Sequence, residues 1–137
     1  MIRMTPMTST EDSFSLAIRG DTVEVRSAGT FDRERAEQVV AAIAAVRAVH
    51  PRTFILAASG GSISPDSRKF ITEWLRSSPM PLETAVWGAG VFHRAISEMV
   101  FRGARLFRPG RFIVTFHRTR DDALAWIEAR RRVAAPG

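Results

Sequence analysis

The chain has 137 residues, 45% of them hydrophobic and 25% charged, which is the size and balance of one globular domain able to build a core without staples. Cysteine is absent, so disulfides and thiolate metal sites are excluded, and no apolar run approaches the roughly 20 residues of a membrane span. The net charge of +6 comes almost wholly from arginine, with Lys69 the single lysine; no basic tract is interleaved with aromatics, and nucleic-acid binding is not expected.

Residues 1–12 are polar and lack the apolar segment of a secretory signal, so they read as a loose tail ahead of a soluble, cytoplasmic protein. Residues 13–19 and 22–26 alternate polar and apolar around Gly20-Asp21, the pattern of an antiparallel hairpin. Asp32 is placed to cap a first helix, along which Ala36, Val39, Val40, Ile43 and Val46 form one apolar stripe before His50-Pro51 stops it.

Residues 53–58 are a short apolar run suited to a buried strand, broken by Ser59-Gly60-Gly61-Ser62-Ile63. Ser64 can then cap a second helix, with Pro65 at its first position and Asp66 complementing the dipole. Phe70, Ile71, Trp74 and Leu75 give that helix a buried face, and Pro79 and Pro81 end it. Residues 83–87 read as a fourth strand. A third helix follows with Phe92, Ile96, Met99, Val100 and Leu106 inward and Arg94, Arg102 and Arg105 outward. Residues 112–116 are a fifth strand. Thr119 caps a last helix that packs through Ala123, Leu124, Trp126 and Ile127, and residues 131–137 fray away as a second tail.

The order ββαβαβαβα defines an α/β domain over residues 13–130, with a mixed, mostly parallel five-stranded sheet, an antiparallel first strand at its edge and about four helices. The loops leaving the carboxyl ends of parallel strands gather at one end of such a sheet, so a site belongs there. The loop after the 53–58 strand offers Ser59, Gly60, Gly61, Ser62 and Ser64, the helix start adds Asp66, Ser67 and Arg68, and the next loop adds Gly88 and His93.

Other chemistry is poorly supported. Gly88-Ala89-Gly90 begins a dinucleotide-like pattern, but His93 stands at the third glycine position. Ser62, His93 and Asp66 can be drawn as a hydrolase triad without a nucleophile elbow. His50, His93 and His117 lack ligand spacing, and neither metal nor cofactor is expected.

Gly29-Thr30-Phe31-Asp32, the 54–58 strand with Gly60-Gly61-Ser62-Ile63-Ser64, Pro65-Asp66-Ser67-Arg68 and Ala123-Leu124-Ala125-Trp126-Ile127 stand in an order that resembles the STAS fold of bacterial anti-sigma-factor antagonists. The chain resembles most the SpoIIAA-like (STAS/SEC14) family. In the antagonist branch a serine at the start of the second helix is phosphorylated by a partner kinase. The resemblance lays that acceptor on Asp66, or on Ser67 if the loop is one residue longer. Arg68-Lys69 replaces the small Gly-Leu pair that follows it in the family.

The resemblance implies a non-enzymatic regulatory module that docks a protein partner, an anti-sigma-like or other regulator, through residues 59–68. Ser67 is its candidate phospho-acceptor, although a fixed charge at Asp66 leads us to expect no phosphoswitch at this loop. The alternative is a small-ligand or lipid-binding, membrane-associating domain of the same fold, with a pocket between helices. Homodimerisation is left open.

Overall fold

The computed structural model describes residues 13–58, 60–77, 81–88 and 112–133. In chain order the elements are β1 (Ser13–Arg19), β2 (Thr22–Ala28), β3 (Thr30–Phe31), α1 (Arg33–Arg47), β4 (Phe54–Ala58), β5 (Ser62–Ile63), α2 (Pro65–Ser77), β6 (Leu82–Trp87), β7 (Phe112–His117) and α3 (Arg120–Arg131). The helix expected over residues 92–106 and the tail over 1–12 lie outside the described residues.

β1 and β2 form the expected hairpin, with Gly20 at φ +60° supplying its tight turn. From β2 the sheet continues in parallel through β4 and β6 to β7, in the order β1-β2-β4-β6-β7. Among the described strands the order steps always in one direction and does not reverse. β3 and β5 pair separately as a small parallel ladder, Thr30 with Ser62 and Phe31 with Ile63.

Each described helix begins at the cap its sequence provides. Asp32 accepts from the Arg35 amide at 3.0 Å, Ser64 from the Ser67 amide at 3.1 Å and Thr119 from the Asp122 amide at 3.1 Å. Strand alternation then divides the core in two. Val23, Val25, Ile55 and Leu82 meet Ala42, Ile43 and Val46 of α1 and Leu75 of α2. On the opposite face Phe54, Leu56 and Ala85 meet Ala123 and Ile127 of α3. Trp74, Trp87 and Trp126 are half-buried at the margins of these clusters.

The α3 face also buries charge. Glu24 of β2 is 5% exposed and accepts from Arg120 in a bidentate pair at 2.7 and 2.9 Å, with Arg19 adding a bond at 3.0 Å. Glu83 of β6 is held by Arg52 at 2.6 and 2.8 Å and by Arg130 at 3.0 Å. Arg131 closes the helix end on Asp21 at 2.7 Å, so α3 runs through Arg131, the first residue of the stretch that the sequence assigns to a fraying tail. Carboxylates buried without such partners would be strongly destabilising.

The Arg120 hydrogen bonds outweigh burial and, with Arg19, pull the Glu24 carboxyl from 4.5 down to about 2. As pH falls, the unfolded chain takes up this proton first. The stability contributed by Glu24 is therefore present above about pH 5 and is lost as pH falls toward 2. Its magnitude is about 3 kcal/mol. Denaturant unfolding of wild type and E24Q across that range should show a steep loss for wild type and a flatter profile for E24Q.

Candidate functional site

The segment between β4 and α2 is held in place by backbone hydrogen bonds. The Ser62 amide donates to the Gly29 carbonyl at 2.8 Å and the Ser64 amide to the Phe31 carbonyl at 3.1 Å, which is the β3–β5 ladder seen from its bonds. Gly61 has φ +65°, and a Cβ built there would stand 1.9 Å from the Gly29 oxygen and 2.7 Å from its nitrogen. Only glycine permits both the left-handed backbone and the close approach. The two loops are thus locked together at the carboxyl end of the sheet.

Of the residues singled out by sequence, Gly60, Gly61, Ser62, Ser64, Asp66, Ser67 and Arg68 lie on this one connected turn. Gly88 leaves β6 at the same end of the sheet, and its amide donates to the His117 carbonyl at 3.1 Å, tying it to the β7 loop instead. Ser59 and His93 lie outside the described residues.

The helix start separates its side chains sharply. Asp66 is 64% exposed, and Arg33 approaches it at 3.7 Å while also pairing with Glu37 at 3.0 Å and lying over the Phe70 ring at 5.1 Å. Ser67 is 0% exposed, and its hydroxyl is buried without a hydrogen-bond partner. The sequence offered Ser67 as the phospho-acceptor. Its hydroxyl faces inward, on the side of the helix shared by Ile71 and Leu75, four and eight residues on. Ser62 is exposed, with its hydroxyl 3.5 Å from that of Thr30, and Ser64 is occupied as the cap.

His117 shares a 2.8 Å hydrogen bond with the Thr115 hydroxyl and packs beside Trp126, and burial lowers its pKa below the usual imidazole value, with Asp122 opposing. Among the described residues no group of three or more His, Asp or Glu is placed to hold a metal ion. No helix among them is long and apolar enough to cross a membrane.

Beneath the turn, α1, α2 and the sheet line a half-open cavity of about 190 Å³. Val39, Val40 and Ile43 wall it on α1, Ile71 and Trp74 on α2, and Val25, Ile55, Thr84 and Val86 on the strands. Phe31 and Ile63 of the β3–β5 ladder and Gly60 and Gly61 just before it border the cavity, so the same turn presents Asp66 outward and the cavity inward. The cavity is a feature that strand and helix periodicity alone did not place.

No protein-family model and no curated sequence matches the chain. Among solved structures it is similar to the anti-sigma factor antagonist SpoIIAA in its unphosphorylated form, with a TM-score of 0.52 over 85% of this chain and 98% of that one. The fold is SpoIIAA-like. The sequence identity is 16%, so the likeness is one of fold. An uncharacterized DUF3478-family protein from Shewanella loihica, with a SpoIIAA-like fold, is similar at 18% identity over 83% of this chain and 91% of that one, with a TM-score of 0.49.

Two pairs of variants test this geometry. G61A meets backbone as well as left-handed strain and should cost about 3 kcal/mol or more. G20A shares the positive φ but has nothing within 4 Å of its new Cβ, so it should cost about 1 kcal/mol. In the helix start, S64A removes the cap and should cost about 1 kcal/mol, whereas S67A removes an unpartnered hydroxyl and should stay within about 0.5 kcal/mol of wild type or gain. Equal costs within either pair, read by denaturant unfolding, would contradict the placement.

Proposed function

We propose that this chain is a non-enzymatic SpoIIAA-like interaction module, one domain over residues 13–130, that docks a protein regulator in the cytoplasm through residues 60–68. The observation that carries the reading is the division at the α2 start, with Asp66 exposed and the Ser67 hydroxyl buried. The resembling antagonists carry a switchable phosphate at this turn, whereas here a permanent carboxylate stands at the free amide end of the helix, where negative charge is favoured. The partner therefore meets one charge state, and binding is not gated by phosphorylation of this turn. The locked Gly29–Gly61 contact supports a preorganised surface, which loses little entropy on docking.

A photo-crosslinker at Lys69 in the natively expressed protein tests the reading. A specific protein should be captured by wild type and by S67A, and capture should fall at least tenfold for D66K with its circular dichroism unchanged. Intact mass should show no stoichiometric phosphate. Equal capture by D66K, or phosphate mapped to Ser62, Ser64 or Ser67 whose removal changes capture, would overturn it.

A second reading, a small-ligand domain of the same fold, is favoured by one observation. The cavity under the turn is apolar and lies between helices and sheet, where a ligand body can be buried.

A further inference from the structure

The cavity contains a polar group with nothing to bind. Thr84 sits mid-strand in β6, 4% exposed, and alternation places it with Leu82 and Val86 on the cavity side. Its hydroxyl is buried and has no hydrogen-bond partner. Buried hydroxyls are normally satisfied, and leaving one unmade costs the desolvation of that group. Valine, which has nearly the same shape and equal strand preference, would fill the position without that penalty. The other hydroxyl on the lining, Ser27, is already engaged, accepting from Arg35 at 3.1 Å. No ionisable side chain belongs to the described lining, so a charged ligand would be buried without a counter-ion. The volume of about 190 Å³ is somewhat larger than the ~150 Å³ apolar cavity that takes up benzene in an engineered protein.

We infer that the cavity binds a neutral, compact, largely apolar molecule carrying a single hydrogen-bonding group, with Thr84 Oγ1 receiving that group and the Ile43, Ile55, Ile71 and Trp74 side chains enclosing the body. Phenol-sized aromatic alcohols are the class that fits both the volume and the one free hydroxyl. This assignment rests on the small-ligand reading and gives it a chemical class and an orienting residue.

Phenol and toluene share the ring and differ at the polar group, so they serve as probes. Each is titrated into the full chain while amide chemical shifts are followed. Shifts should cluster at the cavity-lining residues for both ligands. T84V should weaken phenol about tenfold, equivalent to ~1.4 kcal/mol, and leave toluene within about twofold. T84S, which keeps the hydroxyl, should retain the preference for phenol. T84V should also unfold at a denaturant concentration no lower than wild type, because it removes an unpartnered group. If phenol is insensitive to T84V while toluene binds, the role of Thr84 falls and the small-ligand reading survives. If neither probe binds wild type, both fall.

Discussion

The contact between Gly61 and Gly29 is the constraint on which the carboxyl end of the sheet depends. Two loops that leave different strands, 32 residues apart in sequence, are brought so close that no side chain fits between them. The hydrogen bonds from Ser62 and Ser64 follow from that approach, and they fix where α2 begins. The Ser64 cap then sets the helix phase, which turns Asp66 out and Ser67 in. The same loops form one wall of the apolar cavity, so its shape and the outer charge pattern share a single support.

The two faces of the sheet are stabilised by different physics. The α1–α2 side relies on aliphatic packing and retains a cavity, a defect that usually lowers stability through lost contacts. On the α3 side, Glu24, Glu83 and Asp21 receive Arg120, Arg130, Arg52 and Arg131 around a compact apolar cluster. Bidentate arginine pairs impose geometry as well as energy, so they fix the angle and register of the last helix.

Much of this was legible in the sequence. The hairpin, the five strands of the main sheet and the three caps Asp32, Ser64 and Thr119 rest on local patterns, and the structure realises them. The β3–β5 ladder was not legible because two-residue strands carry no periodicity and their pairing is non-local. The burial of Ser67 had a signal, since positions 67, 71 and 75 share a helix face, but capping chemistry masked it. Glu24 and Glu83 look like solvent-facing residues of half-buried strands. Their arginine partners lie up to 96 residues away, a separation that no local pattern reports. Thr84 alternates with Leu82 and Val86 and so belongs to an inner face; only the three-dimensional arrangement reveals that its hydroxyl is unpartnered.

The central claim is that a prelocked turn at the start of α2 is the docking surface, and amide hydrogen exchange read by NMR tests it most directly. In the free protein the Ser62 and Ser64 amides, bonded to Gly29 and Phe31, should exchange slowly although they lie in the short connection between β4 and α2. On addition of the captured partner, further protection should concentrate on residues 60–69 and leave α3 unchanged. Fast exchange at Ser62 and Ser64 in the free chain, or new protection on α3 with none on residues 60–69, would contradict the account.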